Sequence, residues 1–219
     1  MRSDGWVPGE RLVGREPDPQ HDPSAPTVGV LALQGDVLEH LRALRRCGAN
    51  AIRVRRVEDL DAIDGLIIPG GESTTIGKLL VRFGLLEPLR EAIRAGLPTF
   101  GTCAGMIVLA QQLDQPFEQP LLEVLDVEVR RNAFGRQVDS FDVALPIEGI
   151  DGGPVDVSFI RAPWVSRILN HDVEVLAEVD GHPVVVEQGH ILAAAFHPEL
   201  TGDDRLHRRF VERCRVPSR

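Results

Sequence analysis

The chain has 219 residues, a formal net charge of −9 and 43% hydrophobic residues; that length suits one sizeable core, and the acidic balance gives no electrostatic support to a nucleic-acid or anionic-membrane partner. Its three cysteines, Cys47, Cys103 and Cys214, are too few and too scattered for a disulfide framework or a Cys-x-x-Cys metal site. The longest apolar runs, such as Ile191 to Phe196, fall far short of the roughly 20 residues that cross a bilayer, so a reducing, cytoplasmic setting with no metal is expected.

Residues 1–26 hold five prolines and mixed charges with no apolar core, which reads as a disordered leader ahead of a single domain over 27–219. From Val28 onward short β-rich runs alternate with helical ones. "VGVLALQ" reads as a strand, Asp36 to Cys47 as a helix, "AIRVRR" and "GLIIPGG" as strands, Thr75 to Ala95 as a helix, and "PTFGTC" as a strand. Near-continuous apolar strands between amphipathic helices indicate a parallel sheet covered on both faces.

A helix is expected from Ala104 to Gln112. Beyond it the pattern turns to alternating segments: "LDVEVRR", "FDVAL", "VDVSFIRA", "VEVLAEV", "PVVVEQG" and "ILAAAF". Asp-Gly, Gly-Gly and Pro signals separate them, which predicts antiparallel hairpins added to the sheet, and a last helix is expected from Asp203 to Cys214. The fold class predicted is α/β, a three-layer sandwich with a mixed, mostly parallel central sheet of flavodoxin-like type.

"GTCAG" places Cys103 between glycines where a strand meets a helix, the layout of a nucleophile elbow with sulfur in place of the usual serine oxygen. Glycines permit the sharp turn, and the amides at the helix start favour a thiolate there. In "AAAFHPEL" His197 follows an apolar strand and Glu199 lies two positions on. In an extended segment residues two apart point the same way, so the carboxylate can fix the tautomer and orientation of the imidazole. Cys103, His197 and Glu199 thus form a candidate nucleophile, base and orienter.

"GLIIPGGESTT" is a third junction, a buried strand ending in glycines and then in polar residues that cap a helix, where backbone amides can meet a carboxylate or an oxyanion. A phosphate loop is the rival reading because Gly77-Lys78 follows. The spacing rejects it: Gly71 to Gly77 encloses five residues rather than four, and Leu79 stands where Ser or Thr is needed. Cys47 and Cys214 read as packing or surface residues, His40 as a residue of the first amphipathic helix near the sheet edge, and His171, His182, His190 and His207 show no metal-ligand spacing.

The three motifs in this order resemble the class I (Cys-His-Glu) glutamine amidotransferases. "LALQGDVLEH", "PGGESTT", "FGTCAG", "RNAFGRQVDSF", "FIRAP" and "AAFHPELTGD" narrow the resemblance to the glutaminase subunits of pyridoxal 5'-phosphate synthases, over about residues 27–213. The resemblance implies hydrolysis of L-glutamine to glutamate and ammonia through a Cys103 thioester. It further implies delivery of the ammonia to a separate synthase (lyase) subunit in a hetero-oligomeric complex, no bound cofactor in this chain, and weak activity when the chain is alone. By the same resemblance the backbone amides of Gly71 and Ala104 form the oxyanion hole. Glutamine is bound by Gly71, Glu72, Ser73, Arg131, Ile160 and Arg161, with Gln34 as possible support, and Arg130 competes with Arg131 for the substrate role. A free-standing γ-glutamyl hydrolase of the same fold and a non-catalytic scaffold subunit are the alternative readings.

Overall fold

The computed structural model describes residues 22–116, 118–133 and 140–215. Residues 1–21 of the expected leader and 134–139 of the "RNAFGRQVDSF" motif lie outside the described residues. The five residues 22–26, assigned to the leader by composition, form a turn tied to the first strands. The Asn50 amide donates to the Asp22 and Ala25 carbonyls and accepts from the Asp22 N–H.

In chain order the elements are β1 (Thr27–Leu31), α1 (Val37–Arg46), β2 (Asn50–Val54), β3 (Gly65–Ile68), α2 (Ser73–Arg82), α3 (Leu86–Arg94), β4 (Thr99–Thr102) and α4 (Ala104–Leu109). There follow β5 (Ala110–Leu113), β6 (Leu125–Arg130), β7 (Ser140–Leu145), β8 (Val155–Ile160), β9 (Trp164–Ile168), β10 (Glu174–Val179), β11 (His182–Gln188), β12 (Ile191–Ala194) and α5 (Arg205–Cys214). The central sheet runs β10-β11-β12-β4-β3-β1-β2. The five strands from β12 to β2 are parallel to one another, and β11 is antiparallel to both its neighbours. This is the mixed, mostly parallel sheet the sequence predicts. Val28, Val30, Leu66, Ile67, Phe100 and Leu192 are fully buried in it, as strands covered on both faces must be. Helices flank it in two groups, α1 beside α5 and α2 beside α3 and α4.

The order of strands positions the site. After β1 the chain adds β2 on one side and then returns to place β3 on the other. At such a switch point the loops leaving the carboxyl ends diverge and open a crevice. The ends of β1, β3, β4 and β12 stand side by side on this edge, and they carry Gln34, Gly71, Cys103 and His197 respectively.

The structure differs from the sequence reading in three further places. The expected helix Thr75–Ala95 is two helices, starting at Ser73 and broken at Gly84, which has φ 66°; a positive φ ends a helix at low cost only in glycine. The expected helix Ala104–Gln112 stops at Leu109, and Ala110–Leu113 pairs as β5 with β6. Strands β5, β6 and β9 form a sheet of their own, β7 and β8 a separate hairpin, and only β10 and β11 extend the central sheet by hairpins. Alternation marks a strand as half-buried but carries no information on which sheet receives it. No helix among the described residues is long and apolar enough to cross a membrane.

Phe100 sits at the centre of β4, edge-on to His207 and tilted against Phe210 on α5. Phe100→Ala is therefore expected to lower unfolding stability by about 3–5 kcal/mol, measured by urea denaturation. A loss below about 1 kcal/mol would show that the strand presenting Cys103 is not fixed by this packing.

Candidate active site

Cys103 links β4 to α4 with φ 46° and ψ −103°, a conformation that only a demanding turn imposes on a residue with a side chain. Its N–H donates to the Ala194 carbonyl at 2.8 Å, so the elbow is held by the neighbouring strand β12. Gly105 lets the first turn of α4 lie against β3, because a Cβ there would stand 2.0 Å from the Ile68 carbonyl oxygen. Cys103 is buried, 7% exposed.

His197 and Glu199 are likewise buried, and His197 Nδ1 lies 2.8 Å from Glu199 Oε1. With Nδ1 committed to the carboxylate, the other ring nitrogen is left for the thiol. Burial opposes charge on His197, but hydrogen bonds to Asp36, Cys103 and Glu199 outweigh it and raise the imidazole far above its usual range. Burial raises the Glu199 carboxyl, and the bond from His197 works against that rise. Three acidic groups around one imidazole favour its protonated form, the state needed opposite a thiolate. Cys103, His197 and Glu199, picked out from separate motifs, are thus brought together. Burial raises the other thiols, Cys47 to about 11 and Cys214 to about 12, which keeps them protonated and unreactive.

The loop after β3 closes the crevice. Gly70 approaches the imidazole so closely that a Cβ would meet His197 Cε1 at 2.3 Å. Gln34 Oε1 accepts the Glu72 N–H at 2.7 Å and lies where a Cβ on Gly71 would point, at 2.4 Å. Gln34 therefore braces the loop that carries the Gly71 amide, while Ala104 supplies the first amide of α4 beside the thiol. Glu72 caps α2, accepting from the Thr74 and Thr75 N–H groups and the Thr75 hydroxyl. Burial opposes its ionisation, but these bonds prevail and lower the carboxyl to about 2.

Arg131 reaches the same loop, with Nη2 3.2 Å from Glu72 Oε1 and Nη1 3.3 Å from Thr74 Oγ1. Arg130 turns away to Asp114, 2.6 Å off, on the edge of the small sheet. The two arginines thus have different partners, Arg131 on the Glu72 loop and Arg130 on Asp114. Ser73 is buried and donates to Gln119 Oε1 at 3.1 Å. Ile160 ends β8, and Arg161 follows it, exposed and with φ 44°. This end of β8 adjoins the imidazole loop, since the His197 N–H donates to the Ser158 carbonyl at 3.1 Å.

Two residues of the site were missed by sequence reasoning. Asp36 Oδ2 stands 3.4 Å from His197 Nδ1, and Gln119 accepts from both Ser73 and Thr74. Asp36 precedes the first helix and reads as an ordinary cap, and Gln119 lies in a segment with no periodic signal. Donor atoms of Asp36, His197 and Glu199 lie within 4.8 Å of one another, close enough to suggest a cation site. The bond between His197 Nδ1 and Glu199 already occupies two of those donors, and the set is better described as an acid–base pair.

The fold is that of the class I glutamine amidotransferases. A solved glutamine amidotransferase superposes with TM-score 0.81 and 53% identity, covering 86% of this chain and 99% of that one. Residues 30–216 match the SNO glutamine amidotransferase family, and the chain belongs to that family. It is 62% identical over 190 residues to the pyridoxal 5'-phosphate synthase subunit PdxT of Parafrankia sp., covering 86% of this chain and 93% of the relative. It is 57% identical over 205 residues to the protein of the same name from Nocardia farcinica, covering 91% and 90%.

The depressed Glu72 carboxyl gives a stability term with a definite sign. Because its pKa in the folded chain is about 2 against 4.5 ordinarily, the contribution is complete above about 4.5 and is lost as pH falls toward 2. Glu72→Gln is expected to lower stability at pH 7 by about 1 kcal/mol, the usual worth of a helix cap. The gap to the unsubstituted chain should narrow below pH 4.5 in parallel melts. A gap independent of pH would contradict the ionised cap.

Proposed function

We propose that this chain is the glutaminase subunit of a pyridoxal 5'-phosphate synthase. It hydrolyses L-glutamine to L-glutamate and ammonia and passes the ammonia to a separate synthase subunit, which builds the cofactor from ribose 5-phosphate and glyceraldehyde 3-phosphate. The observation that carries the reading is the continuous line from Glu199 through His197 to Cys103 on an elbow between strands. The length of chain shared with the PdxT proteins of Parafrankia and Nocardia farcinica supports the assignment. A cytoplasmic location, with no nucleic acid or membrane as partner, belongs to the same reading.

In this mechanism Cys103 Sγ, as thiolate, attacks the side-chain carbonyl carbon of glutamine. The carbonyl oxygen takes the negative charge and is met by the amides of Gly71 and Ala104; each such donor is typically worth about 2.7–4 kcal/mol. Protonated His197 gives its proton to the amide nitrogen, the C–N bond breaks, and ammonia leaves a γ-glutamyl thioester. Neutral His197 then takes a proton from water as the hydroxide attacks the thioester. Collapse releases the γ-carboxylic acid, which gives its proton to solvent to become glutamate, and restores the thiolate and imidazolium. Glu199 keeps the imidazole in one tautomer throughout.

Glutamine's α-ammonium and α-carboxylate need fixed charges of opposite sign. Glu72 offers the anion, and Arg131 with Arg161 offers the cations. Ser73 opens α2 next to Glu72, Ile160 ends β8 beside the imidazole loop, and Gln34 braces the oxyanion side.

Glutamate release should require Cys103 and rise strongly when the cognate synthase subunit is added, with Cys103→Ala inactive in both conditions. Release that is equally fast without the partner, or faster on γ-glutamyl peptides, would favour a free-standing hydrolase. No release in either condition would favour a scaffold. Arg131→Ala in the complex should raise the glutamine KM about 10–100-fold, the worth of a hydrogen bond to a charged group. An unchanged KM would remove Arg131 from the pocket.

A further inference from the structure

Beside Glu199 lie two histidines that the mechanism does not use. His40 on α1 and His207 on α5 are both fully buried. His40 Nδ1 is 2.9 Å from His207 Nε2, and His40 Nε2 is 3.1 Å from Thr102 Oγ1. The same His40 Nε2 lies 3.4 Å from Glu199 Oε2. That oxygen is the one not used by His197, and it has no hydrogen-bond partner among the described residues; nor has His207 Nδ1.

The two orphan atoms fix where the protons sit. A proton on His207 Nδ1 would be a buried N–H with no acceptor, which proteins rarely tolerate, whereas a bare lone pair there is the lesser cost. His207 therefore carries its proton on Nε2 and donates it to His40 Nδ1. His40 must then carry its own proton on Nε2, directed at Thr102 and Glu199. The opposite arrangement would leave a bare His40 nitrogen facing the carboxylate oxygen. Burial keeps both rings neutral at pH 7: it lowers His40 well below its usual value and His207 to about 4.

Resting on the glutaminase reading, we propose that His40 is a positioning residue for the reaction. Its Nε2–H is shared between the free oxygen of Glu199 and the hydroxyl of Thr102. Thr102 is the residue before Cys103, so one buried ring ties the carboxylate that orients His197 to the strand that presents the thiol. Glu199 then meets the His197 N–H at one oxygen and faces the His40 N–H, 3.4 Å away, at the other. A carboxylate bonded at one oxygen and flanked at the other has little room to swing, and His197 inherits that restraint.

The test compares His40→Leu and His40→Gln with the unsubstituted chain, each in complex with the cognate synthase subunit. The glutamine side-chain amide nitrogen reproduces the Nε2–H, and leucine does not. His40→Leu is expected to lower kcat between about tenfold and the ~100-fold that a 1 Å misplacement costs, with KM within about twofold. His40→Gln should retain kcat within about threefold. Equal losses in both variants, or none in either, would overturn the proposal. Should His40→Leu not fold, the unsubstituted chain still decides it through ¹⁵N–¹H correlation of the imidazoles. A proton on His40 Nε2 supports the role, and one on Nδ1 overturns it. Absence of glutamate release from the unsubstituted complex would instead sink the glutaminase reading and this role in it, while the imidazole spectrum reports separately whether the His40 geometry stands.

Discussion

At Cys103 the backbone adopts φ 46° and ψ −103°, a conformation that costs on the order of 1–3 kcal/mol and persists only where its surroundings over-determine it. Those surroundings are visible. The Cys103 N–H is pinned to Ala194 on β12, Gly105 brings α4 onto the Ile68 carbonyl, and Phe100 anchors the middle of the strand against α5. Relaxing the turn would swing the thiol away from His197, and the other features of the site would have nothing to act on. Buried parallel strands are suited to bearing such a strain, because each has a neighbour on both sides and cannot shift alone.

The same sheet explains why groups so distant in sequence meet. Four strands end side by side, and each delivers one part: the brace at Gln34, the amide loop at Gly71, the thiol at Cys103 and the imidazole at His197. Close packing of these loops requires residues without side chains where backbones meet rings, as at Gly70 against His197. The charges are graded in depth. Glu72 is held ionised at the mouth by its helix cap, and Glu199 is buried at the base, where its charge depends on the imidazole beside it.

Much of this was legible in the sequence because it rests on local rules. The elbow glycines, the two-residue offset of His197 and Glu199, and the glycines after β3 each carry a backbone requirement that shows in residue type. The continuous apolar strands fixed the layer architecture for the same reason. What was not legible depends on pairing across distance. The three small-sheet strands alternate like any hairpin, so nothing in "LDVEVRR" distinguishes the small sheet from the central one. Helix α4 ends at Leu109 because β5 pairs with β6, although its own residues would continue a helix. Asp36 and Gln119 enter the site, and His40 and His207 come to lie beside it, only because α1, α5 and the 118–122 segment fold together there, and none stands in a spaced motif.

The central claim is that Cys103 is a nucleophile activated by His197 and aimed at a glutamine side chain. It is tested most directly by treating the complex with a glutamine-mimicking electrophile and mapping the adduct by peptide mass spectrometry. The account predicts one adduct, on Cys103, formed rapidly in the unsubstituted chain, slowed at least 100-fold by His197→Ala and blocked by excess glutamine. An adduct on Cys47 or Cys214, or labelling of Cys103 that is indifferent to His197 and to glutamine, would contradict it.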